Sequence, residues 1–299
     1  MTTAAVASYF KHQSSTPRFF AEHFPREPFV FAHDLSSHEL LELCALKKLA
    51  QKQALNPLQR GFFAAPDAEG LRWGTEAMRQ AISTAFRDME ASATRIKLSR
   101  IHGEPGYSEI FRQCTIELSE LTGIDLERPA REPLETIFIS SPHEVTPYHI
   151  DECENFLLQI HGSKVVFVYD GRDRDVLSWR DLEDYYAGNT RLEFPPASQA
   201  RPLAFELRPG LALYNPVNFP HSVENGPEVS VSVSLGYTKK SNPFGVLRIN
   251  HSLRKVGISP RPPGESPMRD AAKLLAFNMM RFSKGLLKTS QSEAPPERY

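Results

Sequence analysis

The chain has 299 residues, 40% hydrophobic and 24% charged, which suits a globular protein of one elaborated domain or two small ones. Its 35 Lys and Arg against 36 Asp and Glu leave a formal net charge of −1, so the basic excess of a nucleic-acid binder is missing and no nucleic-acid partner is expected. With 19 Phe, 9 Tyr and 2 Trp there is ample material to bury, which excludes extensive disorder.

The opening stretch, Met1 to Ser15, lacks the basic and apolar regions of a secretory leader. No apolar run approaches the roughly 18 residues that cross a bilayer. Cys44, Cys114 and Cys153 are scattered without a CxxC pair, which fits a reducing compartment, so a cytoplasmic protein without a membrane span is expected.

Residues 1–130 read as mostly helical. Phe29-Val30-Phe31 is a brief strand-like run. Ser36 and Glu39 form a capping-box pattern ahead of Leu40, Leu43, Cys44, Leu46 and Leu49, predicting a helix there. A second helix is predicted from Thr75 to Glu90 on Met78, Ile82 and Phe86. A third starts near Ser108, carries Ile110, Phe111, Ile116 and Leu118, and stops at Gly123. Between the last two, the alternation Ile96-Lys97-Leu98-Ser99-Arg100-Ile101 predicts a half-buried strand.

From about residue 134 the period becomes two. Strands are predicted over 135–140, 147–151, 155–161, 164–169, 203–207, 211–215, 222–225 and 229–235, separated by turns such as His161-Gly162-Ser163 and Arg208-Pro209-Gly210. Many short strands with few helices between them imply an antiparallel sandwich or small barrel. The polar stretch 170–201 reads as a helical or loop insertion over one mouth of it. A helix is predicted over 267–288, and a disordered tail after Thr289.

The chemistry concentrates in Thr146-Pro147-Tyr148-His149-Ile150-Asp151. On a strand, residues two apart share a face, so His149 and Asp151 would present an imidazole and a carboxylate together. His221 stands near the start of a later strand. Two imidazoles and one carboxylate make the facial triad of non-haem Fe(II), with three coordination positions left open. Taken alone, HxD is common, and packed core histidines account for it equally well.

The longer run from Thr146 through Lys164 resembles the iron-binding hairpin of JmjC-type, cupin-fold dioxygenases. It is most similar to the asparaginyl hydroxylase branch, which includes the factor-inhibiting hydroxylase of hypoxia signalling. That pattern has a Thr three before the first His, an Asn six after it and a Lys fifteen after it; Thr146, Asn155 and Lys164 stand at those offsets. Arg208 through Pro216 followed by Pro220-His221-Ser222-Val223-Glu224-Asn225 resembles the stretch that delivers the distal His. Phe24-Pro25-Arg26-Glu27-Pro28-Phe29-Val30 resembles the family's leading segment. Two positions depart from the pattern. Ser234 stands where the branch carries an Asn, and Leu211 replaces an Asp after the glycine.

The resemblance implies a mainly β fold with flanking α: a double-stranded β-helix (jelly-roll) core over 131–240, with N-terminal helices packed on the barrel over 1–130 and a C-terminal helical segment over 241–299. It implies Fe(II) on His149, Asp151 and His221, with 2-oxoglutarate and O2 as co-substrates. Lys164 and Thr146 would hold the distal carboxylate of 2-oxoglutarate, because a buried carboxylate needs a cation and donors. Asn155 and Ser234 would lie near the co-substrate. His143, Glu144 and Cys153 read as surface or supporting residues, and Lys239-Lys240 as a solvated pair.

The implied activity is hydroxylation of a polypeptide side chain, or of an amino-acid-like or lipid-like small molecule, with specificity set by 60–75 and 170–201. The alternatives are a cupin-fold binding protein without turnover and a JmjC-type lysine demethylase. On the helix over 267–288, Met268, Ala272, Leu275, Met279, Phe282 and Leu286 form one apolar stripe, and Leu274, Phe277 and Met280 lie outside it. Two apolar sides, together with the C-terminal helices through which the resembling branch dimerises, imply a homodimer.

Overall fold

The computed structural model describes residues 8–10, 15–59, 61–66, 68–99, 101–128, 134–193, 201–238 and 243–288; the expected disordered tail and Lys239-Lys240 lie outside these residues. Three short strands, β1 (Phe29–Ala32), β2 (Phe62–Ala64) and β3 (Arg95–Ser99), alternate with helices α1 (Pro17–His23), α2 (Leu43–Ala54), α3 (Glu76–Asp88) and α4 (Tyr107–Thr122). Eight more strands follow: β4 (Leu134–Ser140), β5 (Val145–His149), β6 (Glu154–His161), β7 (Lys164–Val168), β8 (Leu203–Leu207), β9 (Leu211–Asn215), β10 (His221–Asn225) and β11 (Ser230–Tyr237). Helix α5 (Trp179–Ala187) interrupts them after β7, and α6 (Phe244–Lys255) and α7 (Pro267–Lys288) close the described chain.

The strands form a seven-stranded sheet, β1-β9-β6-β11-β4-β3-β2, and a four-stranded sheet, β5-β10-β7-β8. From β4 to β11 the chain passes repeatedly between the two sheets, all pairings being antiparallel. This winding is a double-stranded β-helix, the jelly-roll expected. Gly162 turns β6 into β7 at φ +66; a Cβ there would sit 2.4 Å from the Val229 carbonyl oxygen, so this hairpin demands glycine.

Two apolar layers follow from the alternation. On one side of the larger sheet, Ile96, Leu98, Ile137, Ile139, Phe156, Leu158, Val231, Val233 and Leu235 pack with Phe20, Leu46, Ile82, Phe111 and Leu118. Each fully buried side chain of this kind stabilises the fold by roughly 1.5–3 kcal/mol. Val166, Val168, Leu207, Phe219 and Val223 meet Leu213 of the larger sheet in a second cluster, which marks the interior between the sheets. Residues that alternate with the first layer, among them Thr136, Asn155, Gln159, Ser232 and Ser234, therefore face that interior.

Several expectations change in detail. Ser36 caps no helix: it lies inside a 3-10 turn over Leu35–Ser37, a second such turn covers Glu39–Leu41, and α2 begins only at Leu43 with Glu42 at its N-cap. Gly123 does end α4, in the left-handed conformation at φ 69. β3 is buried on both faces, with Lys97 and Ser99 each only 8% exposed. Ser178 and Asp181 form a capping box at the start of α5.

The chain divides into two compact units, Met1–Val168 with Pro202–Lys240, and Tyr169–Arg201 with Ser241–Tyr299. In the second unit the inner side of α7 meets α6: a Cβ on Gly245 would touch Phe277 at 2.8 Å and Leu274 at 2.9 Å. Met268, Leu275 and Met279 are 86%, 63% and 66% exposed.

Candidate metal centre

β5 ends at His149, two residues earlier than its predicted limit, so Asp151 lies in the connection to β6 and not on the strand. The backbone is held there because Asn218 N–H donates to the Asp151 carbonyl at 3.2 Å. His221 opens β10 and pairs directly with His149 across the two strands. The two rings stand 4.1 Å apart between centroids, and His221 Nε2 lies 3.8 Å from Asp151 Oδ2. One ligand atom from each of His149, Asp151 and His221 falls within 4.8 Å of the others. His221 is buried, and the other two are half-buried.

The surroundings suit a cation. His149 Nδ1 is 2.8 Å from the Pro147 carbonyl oxygen, which as acceptor fixes the proton on Nδ1 and leaves Nε2 as a donor atom for a metal. His221 Nδ1 is likewise 3.1 Å from the Phe219 carbonyl oxygen and 3.1 Å from the Asn215 amide. Asn215 Oδ1 is buried without a partner. The Asn215 amide also donates from Nδ2 to the Phe219 carbonyl oxygen at 3.3 Å, so it and the imidazole share that acceptor. Burial, then the neighbouring His149, pulls the His221 pKa down to about 4, so the imidazole is neutral near pH 7, the form that ligates. Burial pushes the Asp151 carboxyl up, but His221, His149, Asn155 and Lys97 together outweigh it, and the net shift is downward. Two imidazoles and an anionic carboxylate are a donor set that Fe(II) fits.

Asn155 and Ser234 form a chain behind the carboxylate. Asn155 Nδ2 donates to Asp151 Oδ2 at 2.7 Å, and Ser234 Oγ donates to Asn155 Oδ1 at 2.8 Å. Both residues were expected beside a co-substrate; their hydrogen bonds here orient Asp151. Lys164 is only 7% exposed, so it is not a solvated residue after a turn. Burial alone pulls its pKa down to about 7, with no carboxylate contributing. It pairs with Asn225 on β10 and shares its face with Val166 and Val168 of the interior cluster. Thr146 pairs with Val223, and His149 with His221, so the same interior face carries all three along β10. Lys164 and the triad are separated by four residues of β10, roughly 13 Å.

Of the remaining candidates, Cys153 is a buried thiol whose pKa is pushed well up by burial. Glu144 pairs with Arg95, and His143 adopts a left-handed conformation at φ 57. Lys97, Asn215 and Glu154 take part in the centre or its supports and were not singled out from sequence.

The cupin-like domain family matches residues 74–242. Among solved structures, one of E. coli YcfD superposes with a TM-score of 0.50 at 15% identity, covering 92% of this chain and 69% of that one. Two more, described as the Escherichia coli ribosomal oxygenase YcfD, give a TM-score of 0.48 at 14% identity over 92% of this chain and 68% of theirs. At such identities the likeness is one of fold. No curated protein sequence matches the chain.

Proposed function

The chain belongs to the cupin-like domain family, and on that footing we propose that it is an Fe(II)- and 2-oxoglutarate-dependent oxygenase that hydroxylates a C–H bond. The observation that carries this reading is Lys164. Among the described residues no carboxylate offsets its burial, which is costly for a lysine, and it faces the same interior as the triad at a separation that a chelating five-carbon dicarboxylate and a lysine side chain together fill. A bare cupin that only bound a metal would have no use for it.

In this reading His149, Asp151 and His221 hold the iron, Asn155 and Ser234 keep Asp151 aimed at it, and the buried wall of Val166, Val168 and Val223 keeps water from the co-substrate's carbon chain. Lys164 binds the distal carboxylate, with the Thr146 hydroxyl beside it on the same face. Iron bound there with 2-oxoglutarate supplies oxidation by O2, with 2-oxoglutarate released as succinate and carbon dioxide. The branch proposed is the asparaginyl hydroxylase one, on the offsets of Thr146, Asn155 and Lys164, and the substrate class is a polypeptide side chain or an amino-acid-like or lipid-like small molecule. No described helix is long and apolar enough to cross a membrane.

Purified protein given Fe(II), ascorbate and 2-oxoglutarate without a prime substrate is expected to release succinate slowly. Binding of 2-oxoglutarate with no succinate above the metal-free control would favour a binding protein, and formaldehyde from methyl-lysine peptides would favour demethylation.

A homodimer belongs to the same reading. Met268, Leu274, Leu275 and Met279 are exposed apolar residues of α7, Leu275 and Met279 lying on one side one turn apart, whereas Phe277 faces α6. Light scattering is expected to give twice the 33.7 kDa chain mass, and Leu275→Glu with Met279→Glu to halve it. A monomer at micromolar concentration sinks this assembly.

A further inference from the structure

The loop 216–220 carries the chain from β9 in the larger sheet to β10 in the smaller, and it delivers His221. Backbone N–H groups in such a crossing have no ladder partner and must be satisfied otherwise. Here Asp151 and Glu154 supply acceptors for two of them. Val217 N–H donates to Glu154 Oε2 at 3.2 Å, and Asn218 N–H donates to the Asp151 carbonyl at 3.2 Å. Asn218 takes a left-handed φ of 65, which brings the loop back onto residues 151–154. The Tyr214 hydroxyl, at the end of β9, donates to the same Glu154 oxygen that Val217 uses.

Glu154 is only 4% exposed, and Tyr214 is fully buried among Phe24, Phe29 and Phe156. A carboxylate placed at the edge of an aromatic layer loses much hydration, so its position is dictated by the donors that surround it. It contributes nothing to the triad directly. It joins the two stretches of chain from which the triad's ligands come, since Asp151 lies three residues before it and His221 lies four residues after Val217.

We propose that Glu154 is a positioning residue that fixes the separation of Asp151 and His221 by tying the loop 216–220 to the start of β6. The inference rests on the metal reading given above. Gripping the loop from a buried, hydrogen-bonded carboxylate sets where β10 begins, and so where the His221 ring stands relative to Asp151 Oδ2.

Cobalt(II) serves as the probe, because its visible absorption reports ligand geometry without any turnover. Glu154→Gln is expected to keep its circular dichroism, to bind Co(II) about tenfold more weakly by calorimetry, the lower end for groups behind metal ligands, and to shift the Co(II) bands. Tyr214→Phe removes one donor from the carboxylate and leaves Val217 in place, so a smaller shift of the same sign is expected; it replaces Glu154→Gln as the deciding variant should that protein not fold. A residue that served only stability would change the melting temperature and leave the Co(II) spectrum as in the wild type. Folded variants with wild-type spectrum and affinity within twofold overturn the proposal while leaving the metal reading standing. Wild-type protein that takes up no Co(II) overturns both.

Discussion

Single replacement of His149, Asp151 or His221 by alanine is expected to strip the purified protein of iron and to end succinate formation from 2-oxoglutarate. The three ligand atoms lie within 4.8 Å of one another, and removing one leaves two, a set that holds Fe(II) poorly. Neighbouring side chains do not compensate. Asn155 and Asn215 sit behind the ligands as hydrogen-bonding partners, and the nearby Cys153 thiol is held protonated by burial. Loss of Asp151 is the severest of the three, because it removes the only anion of the set and leaves the Asn155 amide without its acceptor. Metal analysis on variants whose circular dichroism matches the wild type decides the matter; full metal content and activity in any one of them sinks the triad.

Lys164→Met is expected to weaken 2-oxoglutarate roughly a hundredfold to several thousandfold, the scale of breaking a buried charge pair at about 3–5 kcal/mol, while Co(II) affinity measured without the co-substrate stays near wild type. The pH dependence has a definite sign. Burial brings the Lys164 pKa from 10.5 down to about 7, and the distal carboxylate binds the protonated amine. Affinity is therefore flat below about pH 7 and falls toward tenfold per unit above it, with proton uptake on binding. The opposite sign applies to folding. As pH falls from 10.5 the unfolded chain takes the proton first, so the free protein gains stability as pH rises from 7 toward 10.5. Lys164→Met is thus expected to melt higher than wild type at neutral pH while binding 2-oxoglutarate worse, the pattern of a residue kept for function. Unchanged 2-oxoglutarate affinity would remove Lys164 from the site.

Much of this centre is legible in one dimension, because its first residues follow each other along a single hairpin. The offsets of Thr146, Asn155 and Lys164 from His149 are linear facts, and the period-two pattern after residue 134 places them on strands. What escapes is whatever depends on the second face of a strand. Alternation assigns Lys97 to solvent, since Ile96 and Leu98 pack in the helical layer, yet Lys97 is buried and its charge acts on Asp151. Asn215 and Glu154 are similarly silent, since their roles arise only when β6 and β9 lie side by side in register from Asn155 opposite Asn215. Ser36 misleads for a local reason: the capping pattern is present, but two 3-10 turns take its place ahead of α2.

His149 and His221 face one another although four strands, β6 through β9, are wound between them. Such a pairing forms late, because the entropy of closing so long a segment is spent before the contact returns any energy. A ribosome-bound chain that has exposed His149 and Asp151 still lacks its third ligand until β10 is made. On the iron reading proposed above, a metal would therefore be captured by a finished barrel and not by a folding one, and peeling β10 from β5, an edge strand, would be an opening that lets the ion go.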